Sequence, residues 1–319
     1  MSLLVDLLST CSLLGIWPRY IEPRLLKTTE VVWEIDPSYP HLDGIKIAHL
    51  SDLHFNQKVS KRFLQKIAKK VASQRPDMIV FTGDFLCYSQ LEEKESLRFF
   101  LNQFEAPLGC YCSFGNHDYA EYASRNLEGI YDILPPPNPL KSVGITIKKL
   151  LQKQRVASHY SERVKKVPLH HELCALLQET PFMLLENRCI SLPIGLHVAG
   201  LGDFALGRCS PEKTFLTPPE FPGIILSHNP DTLPLLLSIP GEWLILAGHT
   251  HGEQIHFPWP KWGRKISKKL TFLENPAYTR GWYTIENKKL YVNRGLGGHK
   301  PFRLFSPPEI CFIQLKVKK

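Results

Sequence analysis

The sequence predicts an α/β protein in which two mixed sheets pack face to face, with helices on their outer sides. From residue 45 the first half of the chain alternates strand and helix patterns, and the second half is rich in short apolar runs. In both halves, strand patterns end in side chains that commonly bind metals. Because ligands of open α/β sheets gather beyond the carboxyl ends of the strands, we expect these side chains at one edge of the sandwich.

Composition is ordinary for a soluble core and favours an anionic partner. With 319 residues and 43% hydrophobic content, one main domain is expected. The net charge of +9 favours a phosphorylated substrate, a membrane surface or nucleic acid, and charge alone does not choose among them. The eight cysteines are scattered, with one close pair at Cys110 and Cys112, so neither a zinc pattern nor a disulfide framework is visible and a reducing cytosolic setting is expected. No run reaches roughly 18 apolar residues, so we expect no membrane-spanning helix.

The N-terminal segment, residues 1–40, is predicted to associate with a membrane. Residues 1–17 form an amphipathic helix pattern that Pro18 is expected to end, and they lack the basic leader and cleavage site of a signal peptide. Its apolar stripe consists of Leu3, Leu4, Leu7, Leu8, Cys11 and Leu14. Basic residues follow at Arg19, Arg24 and Lys27. The pattern favours a helix lying in the membrane interface, and the alternative is a helix packed on the protein's own core.

Three strands are predicted next, at residues 45–50, 78–82 and 109–114. Two helices lie between them, with apolar stripes at Phe63, Leu64, Ile67 and Val71 and at Leu97, Phe100, Leu101 and Phe104. Asp52, Asp84 and Asn116 follow the three strands at intervals of 32 residues, about the length of one strand–helix unit. A buried aspartate such as Asp84 costs several kcal/mol without a countercharge, and the nearest credible source of that charge is a metal ion.

The stretch from about 130 to 180 reads as an insertion. A proline-rich run at 135–139 is followed by eight basic residues against Glu162 between residues 141 and 166. Either a solvated surface segment or a cap over an anionic amphiphile fits this composition.

The second half again ends its strands in ligand-type side chains. After a helix at 172–178, strands are predicted at 182–185, 188–192 and 196–199, and further strands at 224–226 and 243–247. The last two lead to His228 and to His249 and His251. Residues 259–269 then mix tryptophan with bases and contain no acid, which suits either a membrane interface or single-stranded nucleic acid.

Five short motifs carry the chemistry of the chain. A single one is commonplace, but five in fixed order at predicted strand ends indicate a site. In chain order they are Asp52-Leu53-His54, Gly83-Asp84, Gly115-Asn116-His117-Asp118, Ser227-His228 and Gly248-His249-Thr250-His251. This set resembles the calcineurin-like metallophosphoesterases, with one departure at Ser227, where many members have glycine.

The resemblance implies a four-layer αββα sandwich of two mixed sheets flanked by helices with an inserted cap, over a catalytic domain at 41–319. It also implies two divalent metal ions that share Asp84. Asp52, His54, Asp84 and His251 would hold one ion, and Asp84, Asn116, His228 and His249 the other. His117 would stabilise the phosphoryl transition state or protonate the leaving oxygen, and Asp118 would orient its imidazole. Mixed nitrogen and oxygen ligands make Mn²⁺ the expected ion, with iron and zinc as alternatives.

A lipid-linked substrate is expected from the amphipathic start, the basic insertion and residues 259–269. Within the family, the layout and the closing residues 293–297 and 307–310 resemble the bacterial UDP-2,3-diacylglucosamine pyrophosphatases. That resemblance implies cleavage to 2,3-diacylglucosamine 1-phosphate (lipid X) and UMP in lipid A biosynthesis, at the cytoplasmic face of the bacterial inner membrane. The expected partners are this lipid-linked nucleotide sugar and the membrane surface. No nucleic acid is expected, and no protein partner can be inferred.

Two alternatives remain open at this stage. A nuclease or nucleotide phosphodiesterase of the same superfamily would explain the basic charge, and salt-dependent affinity for nucleic acid would favour it. A non-catalytic scaffold has no need for seven ligands together with His117, and failure to bind any divalent ion would favour it.

Overall fold

The computed structural model of the chain describes residues 10, 12–136, 159–217, 221–257, 261–269, 271, 273–298 and 302–318. Most of the predicted stripe within residues 1–17 and the basic residues between 141 and 155 lie outside the described residues. Among the helices that the structure describes, none combines the length and apolar content needed to cross a bilayer.

Strands and helices alternate along the chain much as the sequence predicts. The described strands, numbered β1 to β15 in chain order, are Lys27–Ile35, Lys46–Leu50, Met78–Thr82, Cys110–Ser113, Ala123–Arg125, Ile130–Ile133, His159–Tyr160, Phe182–Leu184, Arg188–Leu192, Leu196–Gly200, Gly223–Leu226, Trp243–Ala247, Gly281–Ile285, Lys288–Val292 and Glu309–Val317. The described α-helices, numbered α1 to α6, are Lys61–Ser73, Lys94–Leu101, His171–Gln178, Pro211–Thr214, Leu233–Leu236 and Lys261–Lys269.

Short helical turns connect these elements. Those of 3₁₀ type are Glu22–Arg24, Pro40–Leu42, Val164–Lys166, Phe204–Leu206, Pro230–Thr232 and His251–Glu253.

Two six-stranded mixed sheets form the body of the molecule. The first has the order β1-β15-β2-β3-β4-β8, in which only the β15/β2 pair is antiparallel. The second has the order β13-β14-β12-β11-β10-β9, parallel in its centre and antiparallel at both edges. The central strands of both sheets therefore point their carboxyl ends toward one edge, as βα units require.

The sheets pack face to face with helices outside, which confirms the predicted four-layer fold. Ile47 and Val80 of the first sheet share one apolar cluster with Ile224 and Leu244 of the second. Alternate residues of the first sheet, such as Phe81, point outward and pack with the buried faces of α1, α2 and α3. This alternation follows from the two-residue period of a strand and gives each sheet two buried faces.

Strand β1 is an element that the sequence did not reveal, and it lies on the N-terminal side of the predicted domain boundary at residue 41. Its pairing with β15 joins Lys27 to Glu309 and Ile35 to Val317. Only Trp33 and Ile35 of this strand are buried, so its local pattern is weak.

The expectation that Pro18 ends the first helix is wrong. Residues Ser12–Ile21 form a π-helix that runs through Pro18. Proline removes one backbone donor from a helix, but Pro18 is buried and its carbonyl accepts a hydrogen bond of 2.7 Å from the backbone N–H of Arg303. Tertiary contact therefore holds the chain where local preference would end the helix.

The region predicted as an insertion contributes a small third sheet. Strands β5, β6 and β7 form it in that order, beginning at Ala123. Helix α3, at the end of the predicted range, packs instead in the outer layer of the first sheet.

Candidate metal centre

The seven predicted metal ligands all follow the carboxyl ends of central strands. Strands β2, β3 and β4 of the first sheet lead to Asp52 and His54, Asp84 and Asn116, and strands β11 and β12 of the second lead to His228, His249 and His251. Because the two sheets are stacked with these ends at the same edge, side chains separated by about two hundred residues meet there.

A first group of four side chains can offer ligand atoms to one ion. One such atom from each of Asp52, His54, Asp84 and His251 lies within 4.8 Å of the others. His54 Nε2 lies 3.0 Å from His251 Nε2 and 3.3 Å from Asp84 Oδ2, and His251 Nε2 lies 3.6 Å from Asp52 Oδ1. All four residues are buried.

A second group converges on the same Asp84 carboxylate. His228 Nε2 lies 3.2 Å from Asp84 Oδ2 and 3.2 Å from His249 Nδ1. The side-chain amide of Asn116 donates to the carbonyl of Ala123 at 2.7 Å, which fixes the opposite orientation of its oxygen. That oxygen, Asn116 Oδ1, is buried and has no hydrogen-bond partner among the described residues.

These residues fit divalent cations. Two imidazole nitrogens 3.0 Å apart repel each other through their lone pairs unless a proton or a cation lies between them, and an orphaned amide oxygen needs a partner. Burial raises the pKa of Asp84, but the charged imidazole of His228 outweighs burial and holds that pKa well below its ordinary value. An ionised carboxylate with neutral imidazole and amide donors is the ligand set that divalent transition metals take in proteins.

Burial keeps two of the imidazoles neutral and ready to bind. Desolvation lowers the pKa of His54 to about 4 and the pKa of His249 to about 3. His228 is the exception, because Asp84 outweighs the effect of burial and raises its pKa well above the ordinary value. A cation beside Asp84 would take over that compensating charge.

Hydrogen bonds to backbone carbonyls set the tautomers of two imidazoles. His228 Nδ1–H donates to the Thr82 carbonyl at 2.7 Å, and His251 Nδ1–H donates to the Gly297 carbonyl at 3.2 Å. In the neutral form of either ring, Nε2 is the nitrogen whose lone pair faces the cluster, the arrangement typical of metal-bound histidine.

Five of the seven proposed ligands have positive φ angles. A left-handed backbone is uncommon for residues with a side chain and costs of order 1–3 kcal/mol each, so it persists only where surrounding contacts enforce it. The angles are 52° at Asp52, 47° at His54, 58° at Asp84, 67° at His249 and 51° at His251. Each strand end turns sharply so that its ligand points inward.

Two motif glycines are required by close approach. A Cβ atom on Gly115 would lie 2.3 Å from Asp84 Oδ1, and a Cβ atom on Gly248 would lie 2.3 Å from Asp52 Oδ2. The absent side chains leave the space in which the two carboxylates stand.

The geometry changes the role expected for Asp118. Its carboxylate oxygens accept hydrogen bonds from the backbone N–H groups of Asp84 at 2.6 Å, Leu86 at 2.9 Å and Gly115 at 3.0 Å. The expectation that it orients the imidazole of His117 is therefore wrong, because its oxygens are committed to the two loops that carry Asp84 and Gly115.

His117 is oriented instead by the backbone N–H of Tyr88, which donates to its Nδ1 at 2.8 Å. The neutral ring therefore carries its proton on Nε2, which lies 4.0 Å from Asp84 Oδ2 and faces the cluster. This places a hydrogen-bond donor beside the shared carboxylate.

A buried arginine, Arg303, supports the turn that carries His251. Arg303 donates to the carbonyls of Arg294, Gly295, Gly297 and Ser306, and the Gly297 carbonyl is also the acceptor for His251. The Ser306 hydroxyl donates to the His251 carbonyl at 3.0 Å.

Glu22 links this support to the N-terminal segment. Its carboxylate accepts from Trp17 Nε1 at 2.9 Å and from the backbone N–H of Ser306 at 2.6 Å. Residues 17–22 are thereby connected to the turn of a proposed metal ligand.

The cluster opens into a cavity of about 340 Å³ with residues that sequence reasoning missed. Arg125 and Tyr131 of the third sheet and Tyr122 line it beside Asn116 and His117. Arg125 is the one lysine or arginine among the described lining residues, and its guanidinium lies 5.6 Å from the centre of the Tyr131 ring. No motif marks these residues; the aromatic residues just after Gly115-Asn116-His117-Asp118 were the available signal.

Comparison with known proteins agrees with this geometry. The sequence pattern of the family described as calcineurin-like phosphoesterase matches residues 45–253. The chain is 43% identical over 304 residues to the UDP-2,3-diacylglucosamine pyrophosphatase LpxG of Chlamydia muridarum, covering 94% of this chain and 92% of that protein. It is 41% identical to LpxG of Chlamydia trachomatis serovar D, covering 98% and 95%.

A more distant relative is the metallophosphoesterase YkuE of Bacillus subtilis, which is 28% identical and covers 94% of this chain and 89% of its own length. Family pattern, near full-length relatives and the convergence of the motif residues agree. The chain belongs to the calcineurin-like phosphoesterase family.

Proposed function

We propose that this protein is a dinuclear-metal hydrolase that cleaves the pyrophosphate bond of UDP-2,3-diacylglucosamine to give 2,3-diacylglucosamine 1-phosphate and UMP, a step of lipid A biosynthesis. The observation that carries the reaction class is the buried convergence of Asp52, His54, Asp84 and His251. The substrate is supported by the near full-length similarity to the two LpxG proteins.

In this proposal the ligands divide as the family resemblance implies, with Asp84 shared between two ions. Asp52, His54, Asp84 and His251 hold one ion, and Asp84, Asn116, His228 and His249 hold the other. When bound, two such ions lower the pKa of a coordinated water and stabilise the attacking and leaving oxygens of a displacement at phosphorus. Mn²⁺ is the proposed ion, because the ligand set lacks thiolate and contains hard oxygen donors.

His117 acts in this proposal as a neutral hydrogen-bond donor. Its Nδ1 accepts from Tyr88, so loss of the Nε2 proton would leave an imidazolate, which is a far stronger base than any phosphate leaving group. When the Nε2–H donates a hydrogen bond to a phosphoryl oxygen without losing its proton, no imidazolate forms. The hydrogen bond stabilises the negative charge that develops on that oxygen. Of the two roles implied by the family, the geometry therefore supports transition-state stabilisation.

Arg125 supplies fixed positive charge to the wall of the cavity. It is only 8% exposed and lines the cavity together with Asp84 and His117. A guanidinium can bind two oxygens of one phosphate at once. We propose that it binds the phosphate of the pyrophosphate that is not attacked.

The location proposed for the protein is the cytoplasmic face of the bacterial inner membrane, held peripherally. The part of residues 1–40 that precedes β1 is the proposed membrane-associating segment, and Ile16 and Tyr20 within it are 53% and 54% exposed. The proposed catalytic domain comprises residues 41–319, with an insertion at about 130–180, together with strand β1, which belongs to its first sheet.

The decisive experiment measures UMP release from UDP-2,3-diacylglucosamine in detergent micelles, with Mn²⁺ present and after chelation. We expect Mn²⁺-dependent turnover that Asp84→Ala abolishes. The matched control is His197→Gln, which changes a buried imidazole that is outside the cavity and bonds to Ser191 at 2.9 Å. Turnover confined to nucleic acids, cyclic nucleotides or soluble phosphomonoesters would refute the substrate assignment while leaving the metal site intact.

A further inference from the structure

Helix α6 presents exposed apolar side chains to solvent. Trp262 is 65% exposed and Ile266 is 39% exposed. They are four residues apart, so they lie on the same side of the helix. Gly263 and Ser267 are buried and form the side that packs on the protein. The helix thus turns its two large apolar residues away from the core.

The rest of the exposed surface of this helix is basic. Lys261, Arg264 and Lys265 are exposed, and the sequence contains no aspartate or glutamate between residues 254 and 273. A helix that combines an exposed tryptophan with an unbroken set of bases fits the boundary between anionic headgroups and acyl chains.

Both ends of the helix lead to the rim of the cavity at the metal centre. Ile255, before the helix, and Thr271, after it, line that cavity. The backbone N–H of Phe257 donates to the Ser267 hydroxyl at 2.8 Å, and that hydroxyl donates to the Gly263 carbonyl at 3.1 Å. These bonds fix the buried side of α6 against the segment that forms the rim.

The N-terminal segment is attached to the same rim. The backbone of Leu304 accepts from His256 at 2.8 Å and donates to Gln254 at 2.9 Å, and the neighbouring Arg303 N–H donates to the Pro18 carbonyl at 2.7 Å. Residue Phe302, directly before these, lines the cavity. The segment from 302 to 304 therefore connects the rim beside α6 with the N-terminal residues around Pro18.

We propose that α6 is a second membrane-docking element, which binds an anionic lipid bilayer by inserting Trp262 and Ile266 while its bases contact headgroup phosphates. Together with the N-terminal segment it turns the mouth of the metal cavity toward the bilayer. Charge complementarity selects this occupant, because a neutral apolar partner would leave the exposed bases Lys261, Arg264 and Lys265 without an anionic partner. Delivery of a lipid-linked substrate by this face rests on the proposed function, whereas bilayer binding does not.

The test is co-sedimentation of the full-length protein with vesicles of phosphatidylethanolamine and phosphatidylglycerol, and with phosphatidylcholine vesicles as the neutral comparison. Trp262→Ser is expected to weaken binding to the anionic vesicles about tenfold, the loss of one buried aromatic anchor. The matched control is Phe99→Ser, since Phe99 is 69% exposed on helix α2. Binding of this variant to the anionic vesicles should stay within about twofold of wild type.

Two further measurements separate this inference from its alternatives. Brominated acyl chains should quench the tryptophan fluorescence of bound wild type more than that of Trp262→Phe. Asp84→Asn should bind vesicles like wild type, so failure of the catalytic proposal would leave this result unchanged. The proposal would be overturned if Trp262→Ser bound the anionic vesicles as tightly as wild type, or if Trp262→Phe were quenched as strongly as wild type. It would also be overturned if the wild type preferred single-stranded DNA to anionic vesicles.

Discussion

Gly115→Ala tests directly whether the shared carboxylate determines activity. The φ angle of Gly115 is not in the left-handed region, so alanine is compatible with the backbone and the change acts through contacts alone. The new Cβ would lie 2.3 Å from Asp84 Oδ1, 2.8 Å from the backbone nitrogen of Asp84 and 2.8 Å from His228 Cε1. All three atoms belong to proposed metal ligands.

The expected magnitude follows from the size of this overlap. Ordinary contact between nonbonded heavy atoms is about 3.5 Å, so Asp84 and Gly115 must separate by about 1 Å. A misplacement of that size at a catalytic centre costs about 100-fold in rate, which is about 2.7 kcal/mol of transition-state stabilisation. We therefore expect kcat/KM to fall at least about 100-fold and metal content to fall below two ions per chain.

The assay compares kcat/KM at saturating Mn²⁺ and bound metal by elemental analysis, with circular dichroism as the check that the variant is folded. Gly15→Ala is the matched control, because Gly15 is exposed and has no atom within 4 Å of its added Cβ. If folded Gly115→Ala bound two ions and kept kcat/KM within about threefold of wild type, the shared-carboxylate geometry would be refuted.

Three further variants test other parts of the site. Arg125→Gln should lower kcat/KM for the pyrophosphate substrate by about 10- to 100-fold, the effect of losing charge-assisted bonds, and should spare a phosphodiester without a second phosphate. Burial lowers the pKa of His49 to about 3, so the folded protein excludes a proton that the unfolded chain binds below pH 6.5. The contribution of His49 to the free energy of unfolding therefore falls as the pH drops below 6.5. In urea titrations this free energy should decrease by about 1.4 kcal/mol per pH unit because of His49, and His49→Gln should lack this decrease. Glu22→Gln should lower the free energy of unfolding by about 1–3 kcal/mol in urea, because an amide NH₂ would replace one acceptor of Trp17 or Ser306.

Each of these variants has a matched control on the surface. Arg188→Gln, His41→Gln and Glu34→Gln change exposed residues of the same type and should leave the corresponding quantity unaltered. Equal losses on both substrates in Arg125→Gln would make Arg125 a structural residue. An unchanged acid sensitivity of His49→Gln would contradict the pKa assigned to that imidazole. If Glu22→Gln were as stable as Glu34→Gln, the hydrogen bonds of Glu22 to Trp17 and Ser306 would not contribute to the free energy of unfolding.

The local sequence, together with its resemblance to a known family, was sufficient to propose the metal ligands. Asp52, Asp84 and Asn116 could be named because each follows an apolar run typical of a buried strand, and parallel strands end at a common edge. The four-layer fold followed from the same alternation of periods two and 3.6. These are short-range patterns, so they can be recognised in the amino-acid sequence alone.

Contacts between distant residues left no such pattern. Strand β1 is defined by its pairing with β15, more than 280 residues away, and Pro18 stays within a helix because Arg303 binds its carbonyl. The donor to His117 is the backbone N–H of Tyr88. Almost every residue has such a group, so no side-chain pattern could predict this contact. Asp118 in turn binds three backbone N–H groups.

The sequence by itself determined which residues are chemically able to hold metal ions, and the tertiary structure decided how they are held. Side-chain type, strand periodicity and short motifs are local properties, and with the family resemblance they led to the proposed ligands. The left-handed backbone at Asp52 and Asp84, the proton position on His117 and the entry of Arg125 into the cavity depend on packing between two sheets and a third. Packing is a property of surfaces brought together by folding, and no single stretch of the chain contains it.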